Sequence, residues 1–495
     1  MTTATDLANY VRCAHRVFLD VNGDEAEKLP PSRFLEMLWE GGRAHEAEII
    51  AGIGGLEVPA GSLAGRVEAT IHLMEDGAPA IYHGVLQADD LVGEPDLLLR
   101  KDRYVSQFGA YAYVPVDVKN GNAWADSAQT KPKVPYAVQL SAYADLLMTA
   151  QGMYPPEGAI IDRDGTEQVY DLEAFRPEYE RIREEHTAVL AGTLPTRPGW
   201  KNACQSCAWQ KHCWKELRAS DDLTTVDGLG ESYRERLWQI GIRTASELAA
   251  ADPASIVGVK GIGTARAKTW TLKARVQKSG RPLLLAQWSP PPVEFEVSYD
   301  IEDDTFDPFV YLHGFLVRNM SAPKFGDPAF TDRDFGTFEP VCATADDAEG
   351  AVWRSFLAKV AEFERRGNYA VYVFSHHERT TLRRLAKQYG GSSELDAFLR
   401  RFVDLERIAK RAVVFPTDSS TLKALARFVG FEWRDDDPGG SQSIAWWTDY
   451  LADPVANAPL RDRVLAYNED DVRATFVLRD WLSRFSGTGG RRVAG

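Results

Sequence analysis

The chain predicts a multidomain α/β protein in which two α/β regions flank a small all-α module. Three observations carry that expectation. At 495 residues the chain is too long for one ordinary core, so two to four domains are expected. Strand-like and helix-like patterns alternate over residues 1–218 and again over 289–486. Between them "VDGLGESYRERLWQIGI" repeats as "VKGIGTARAKTWTLKAR", 33 residues on, with Gly228-Leu229-Gly230 over Gly261-Ile262-Gly263. Boundaries are expected at 1–218, 219–288 and 289–486, with "SPPPV" at 289–293 as a joint and 487–495 as a disordered tail.

Composition excludes several classes. No apolar run approaches the roughly 20 residues of a membrane span. The opening "MTTATDLANYVRC" has no basic segment with an apolar stretch behind it, so no secretory signal and a cytoplasmic location are expected. A net charge of −15 argues against coating nucleic acid by bulk attraction, yet leaves room for a local basic groove. Five cysteines are too few for a disulfide scaffold, and three of them fall within "ACQSCAWQKHCW" at 203–214.

In the first region, "GGRAHEAEII" places His45 on a helix and "GEPDLLLR" places Asp96 at the start of an apolar strand. "YAYVPVDVKNG" is a strand that points Asp117 and Lys119 to one face, because side chains alternate along a strand. "VQLSAYADLL" is a helix with Gln139 and Tyr143 one turn apart. The order His, Asp, Asp-x-Lys, Gln-x-x-x-Tyr resembles the RecB-like branch of the PD-(D/E)xK nucleases, whose core is restriction-endonuclease-like. The resemblance covers about residues 5–215. It implies that His45, Asp96 and Asp117 ligate Mg²⁺ or Mn²⁺, and that Lys119 orients water or stabilises developing negative charge. It also implies that Gln139 and Tyr143 contact the substrate strand. Many relatives have Glu where this chain has Asp117.

Some RecB-like nucleases bind an iron–sulfur cluster through one early cysteine and three late ones. Cys13 together with Cys204, Cys207 and Cys213 fits that scheme as a [4Fe–4S] site. The same four thiolates would equally suit a structural zinc ion. Cys342 has no cysteine neighbours in sequence and reads as an ordinary packing residue. Trp209 and Trp214 could stack bases, although core packing is the simpler role.

The repeated Gly-x-Gly turns of residues 219–288 resemble a tandem helix-hairpin-helix, in which glycine turns let backbone N–H groups approach phosphate. Lys260, Gly261, Gly263, Arg266, Lys268 and Lys273 are the expected nucleic-acid contacts. Residues 258–293 carry seven basic residues and no acidic one.

In the third region "FEVSYDIEDD" is a strand with Asp300 and Glu302 on one face, and "LAYNEDDVRATFVL" is a helix with Tyr467 and Asp471 in a Y-x-x-x-D pattern. These resemble the DnaQ-like 3′–5′ exonucleases of RNase H-like fold. The stretch "SSTLKALARFVGFEW" resembles the YprB-like subgroup. The resemblance implies metal binding by Asp300, Glu302 and Asp471, and two-metal phosphodiester hydrolysis. The usual second-motif Asp is missing, with Glu378 and Asp404 as alternatives. The expected function is a metal-dependent nuclease, in particular a DNA exonuclease on single strands or ends in repair, recombination or defence. An RNA-processing nuclease and a non-catalytic end-binding scaffold are the competing expectations. No G-x-x-x-x-G-K-[ST] loop occurs, so a helicase, if used, would be a separate partner.

Overall fold

The structure, a computed structural model, describes residues 1–304, 306 and 308–487. The expected tail lies outside the described residues except for Gly487, which ends a helix. The fold is multidomain α/β, with two compact units, Met1–Glu216 and a second beginning at Leu217. No helix among the described residues is long and apolar enough to cross a membrane.

The first unit is built on a six-stranded mixed sheet: β1 (Leu56–Glu57), β2 (Ala80–Tyr82), β3 (Leu97–Lys101), β4 (Ala112–Val118), β5 (Glu157–Ile161) and β6 (Glu167–Asp171), adjacent in that order. β4 is buried along its whole length. It runs antiparallel to β3 and parallel to β5, as its nearly unbroken apolar sequence suits. Helix α1 (Arg33–Ile53) carries His45. Helix α2 (Val134–Gln151) is apolar on most of its circumference and buries ten residues. At its end the Gln151 amide donates to the Tyr113 carbonyl at 3.0 Å and accepts from the Tyr113 N–H at 2.8 Å, so that β4 is satisfied where it meets the helix.

The second unit begins with the helical repeat. Helix α3 (Glu231–Gln239) and helix α4 (Thr264–Ser279) each start on the second glycine of a Gly-x-Gly turn. Gly228 and Gly261 share φ +82°, a left-handed conformation that a side chain would strain. The repeat seen in sequence is thus a repeat of backbone geometry. Its core includes Leu223, Leu237, Leu248, Ile262 and Trp270.

The remainder holds a second six-stranded mixed sheet. Its strands are β7 (Phe295–Asp304), β8 (Phe309–Asn319), β9 (Thr337–Phe338), β10 (Val341–Cys342), β11 (Tyr369–Val373) and β12 (Phe402–Asp404). They run in the order β9-β8-β7-β11-β12, with β10 also on β8. Four helices matter below: α5 (His377–Tyr389), α6 (Ser393–Arg400), α7 (Leu422–Phe428) and α8 (Ala458–Gly487). α8 packs against β7 and β8. Consequently both faces of β7 are buried, including the alternating polar positions Glu296 and Ser298.

A buried ionic group fixes α8 on the sheet. The Arg318 guanidinium donates to Glu296 at 2.9 and 3.0 Å and to Asp480 at 2.6 and 2.8 Å. Arg479 also pairs with both acids, and the Tyr372 hydroxyl donates to Glu296 at 2.9 Å. Removing one partner of such a group strands its counter-charges without solvent. Arg318→Ala is therefore expected to destabilise the second unit by about 3–5 kcal/mol, read from its denaturant unfolding midpoint.

Candidate active sites

β7 and α8 build the more complete site. Asp300 and Glu302 share a face of β7, and α8 crosses that face with Asp471, so that one ligand oxygen from each lies within 4.8 Å of the others. A break in the β7–β8 register follows Glu302. Burial is the main reason each carboxyl holds its proton more tightly than usual. Glu302 is pushed up to about 8 by burial and then by Asp471. Asp300 is raised well above the carboxylate range by burial, then by Glu302, Asp471 and Glu378. Asp471 is also raised, by burial first. A set of hard oxygens held together at this cost suits a hard divalent cation.

Three residues that sequence reasoning missed hold these acids in place. The buried Asn468 amide donates to Asp300 at 2.8 Å and to Glu302 at 3.3 Å. The Trp433 indole donates to Asp471 at 2.6 Å. Lys423 on α7 donates to the Tyr467 hydroxyl at 2.9 Å, and its charge opposes the upward shift of all three acids. Each of the three sat in a stretch that already looked significant, "LAYNEDD" or "SSTLKALARFVGFEW". Gly314 makes the Asn468 contact sterically possible, because a Cβ there would lie 1.6 Å from the Asn468 side-chain oxygen.

Of the two second-motif alternatives, Glu378 is the one aimed at this site. It is buried near the start of α5, raises Asp300, and is itself lifted to about 7 by burial. The Ser375 hydroxyl donates to it at 3.3 Å from a backbone strained at φ +142°. The Asp404 carboxylate instead accepts the Arg407 N–H at 3.0 Å as a helix cap. Next to Glu378, His377 sits 3.0 Å from Asp303.

In the first unit, Asp96 just precedes β3, Asp117 is on β4, and Lys119 lies one residue past its end. The Lys119 ammonium is 2.9 Å from Asp117 and 3.8 Å from Asp96. Asp96 accepts the Val118 N–H at 2.7 Å, and burial and then Asp117 push it up to about 7. His45 Nε2 lies 3.0 Å from the Asp162 carbonyl oxygen, the kind of contact that orients a metal-binding imidazole. Even so, His45, Asp96 and Asp117 are not gathered within 4.8 Å as the other triad is. The missed residue here is Glu46, which raises Asp96 and sits 2.9 Å from His83 Nε2. The Gln139 amide donates to the Tyr143 hydroxyl at 2.9 Å, which donates to the Glu94 carbonyl at 3.2 Å. Tyr143 is buried, and burial first, then Asp117 and Asp96, raise its hydroxyl well above the ordinary range, so it is an electrostatic neighbour of that pair.

Cys13, Cys204, Cys207 and Cys213 are all partly buried free thiols. Burial raises Cys213 to about 12, and the other three thiols add to the shift, so the four are electrostatic neighbours. Among the described residues, no three of them bring their sulfurs within 4.8 Å. Trp209 is fully buried and donates to Asp20 at 2.9 Å, while Trp214 packs edge-on against Trp200, so both are packing residues.

The two hairpin turns differ in charge. α3 has Glu231 in its first turn, whereas α4 has no acid there. Gly261, Gly263, Lys260 and Lys268 are exposed beside the start of α4. Lys273 is tied inward, 2.7 Å from Asp227, and Arg266 donates to the Tyr233 hydroxyl at 2.8 Å.

Three family models match the chain. Residues 12–214 match the PD-(D/E)XK nuclease superfamily, 220–275 the SAM-like helix-hairpin-helix tandem, and 297–483 the RNase H superfamily. No curated protein matches the chain. The two outer domains support a metal-dependent nuclease, and all three imply nucleic-acid binding.

A carboxyl raised in the folded state favours folding below its ordinary value of 4.5, and that contribution is lost as pH rises towards about 8. A cation that displaces the protons offsets the loss. The rise in melting temperature on adding Mn²⁺ is expected to be larger at pH 8 than at pH 6. In EDTA at pH 8, Glu302→Gln is expected to melt higher than wild type and to lose most of the Mn²⁺ response. Differential scanning calorimetry reads both.

Proposed function

We propose that the chain is a two-site, divalent-metal-dependent DNA exonuclease, working on single strands or ends in repair, recombination or defence in the cytoplasm. The observation that carries this reading is the largely buried Asp300–Glu302–Asp471 triad, whose three carboxyls have Lys423 as their nearby countercharge. Metal held there would activate water and stabilise charge on the phosphodiester. Asn468 and Trp433 fix the carboxylate orientations. Glu378 adds a fourth carboxylate, and Lys423 limits repulsion among them. In the other domain His45, Asp96 and Asp117 are the ligand set and Lys119 the fixed cation facing the phosphate. Gln139 and Tyr143, hydrogen-bonded to each other on α2, are the strand-contacting pair of that site. Lys260, Gly261, Gly263 and Lys268 bind the strand without reading its sequence. A helicase, if strand separation is needed, is a separate protein.

Cys13, Cys204, Cys207 and Cys213 come from both ends of the first unit, and we assign them to a [4Fe–4S] cluster. Support comes from the donor chemistry and from the mutual electrostatic influence of the thiols. Anaerobically purified protein is expected to be brown, with broad absorbance near ~400 nm from thiolate-to-iron charge transfer. Colourless protein carrying one equivalent of zinc removes this assignment.

The test of the whole reading is degradation of end-labelled single-stranded DNA, duplex DNA and RNA with Mn²⁺. Lys119→Ala is expected to slow the first site by on the order of 10². Asp300→Ala is expected to abolish only the 3′-directed activity. Wild-type rates from both ends in both variants sink the two-site reading, and preferential loss of the RNA moves the substrate to RNA.

A further inference from the structure

The second unit has a cleft of about 580 Å³ between α5 and α6, lined by Arg379, Arg383 and Arg400 together with Ser392, Ser393 and Asp396. None of the three arginines forms a salt bridge among the described residues, although the chain as a whole is acidic. Their sequence neighbours make the contrast plain. In the pair Arg383-Arg384, Arg384 is 2.9 Å from Glu349. In the pair Arg400-Arg401, Arg401 is 3.0 Å from Glu364. One arginine of each pair is thus in an ion pair, and the other lines the cleft. Arg379 is half-buried. It donates to the Leu399 carbonyl at 2.8 Å and lies over the Phe402 ring, which holds its guanidinium at the wall. Arg383 and Arg400 are exposed. Asp396 is the one acid of the lining, while Asp404 and Glu364 act on Arg379 and Arg400 from outside it.

We propose that this cleft binds a phosphate ester of nucleic acid, as an anchor beyond the scissile bond. Guanidinium groups fork onto phosphate oxygens, and serine hydroxyls supply further donors. Position supports the assignment. Arg379 directly follows Glu378, the α5 carboxylate beside Asp300. Arg383 is one helical turn further, about 6 Å along the axis. A strand with one phosphodiester at the carboxylates would carry later phosphates along this helix. That placement rests on the nuclease reading of the triad, whereas the binding itself does not. The phosphate could belong to the bound strand or to a released mononucleotide, and the chemistry at the arginines is the same.

The test uses the full chain without divalent metal, so it needs no catalysis. Anisotropy of a labelled single-stranded oligonucleotide is followed against salt for wild type, Arg383→Glu/Arg400→Glu, the corresponding double Lys variant, and Arg354→Glu as an exposed control. Each single-strand phosphate contact adds about 0.7 to the salt slope. The double Glu variant is expected to lose about 1.4 of slope and to bind several-fold more weakly at low salt, while the Lys variant and the control keep the wild-type slope. Calorimetric titration with dAMP separates the two sources. A heat present in wild type and absent in the double Glu variant places the mononucleotide in the cleft, and a slope change alone places the strand there. Wild-type slope together with wild-type dAMP heat in a folded double Glu variant overturns the proposal. Loss of binding in that variant alongside unaltered cleavage by Asp300→Ala keeps the cleft and removes only the exonuclease reading.

Discussion

The second unit is organised by one electrostatic constraint: buried Glu302 and Asp471 and half-buried Asp300 hold carboxyl oxygens within 4.8 Å of one another. Two like charges about 4 Å apart repel by roughly 4 kcal/mol at the effective dielectric of a protein site. The surrounding architecture limits that repulsion. α8 brings Asn468 between the β7 carboxylates, and Gly314 on β8 lets it approach. Trp433 secures Asp471, and Lys423 adds the nearby positive charge. What remains is met by protons: burial first, and Asp471 second, push Glu302 up to about 8. A proton on a carboxylate pair of this kind can be exchanged for a cation, and folding stability and metal binding therefore share the same groups.

The first unit meets a similar constraint differently. Asp96 and Asp117 face each other across neighbouring strands, and Lys119 contacts both. The cation is part of the same strand end as Asp117, so the positive charge is always present beside Asp96, which burial first and Asp117 second push up to about 7. One site thus carries its fixed cation beside the acids, whereas the other keeps Lys423 on a separate short helix.

Local patterns in the sequence revealed the elements and the acids, since strand alternation and helical spacing are local properties. β4, β7, α2 and α8 follow directly from their runs, and the 33-residue repeat became two turns of identical φ. What the sequence hid depends on distant partners. Asn468 and Asp300 are 168 residues apart, and no periodicity connects them. Glu296, on the polar side of the β7 alternation, is buried because Arg318 and Arg479 come to it from residues that no local pattern links to it. Lys273 read as a free basic residue because Asp227, 46 residues earlier, could not be paired with it by pattern. The sequence offered Asp404 as a competitor of Glu378, and its role as a cap of the following helix depends on a backbone geometry that spacing alone does not show.

The same fold treats its buried acids in two different ways. β7 and α8 each carry buried acids at two places. Towards one end are Glu296 and Asp480, and both are neutralised by Arg318 and Arg479 with hydrogen bonds in good geometry. Asp471 lies nine residues before Asp480 on α8, about 14 Å along the helix axis, and faces Asp300 and Glu302. The same two elements therefore show that this fold can supply arginine to a buried carboxylate pair. At the triad it supplies an amide, an indole and one more distant lysine instead. Purely structural acids gain nothing from that difference, since arginine would stabilise the folded state more. A site that must accept a divalent cation does gain, because a guanidinium fixed on those oxygens would occupy the position the cation needs.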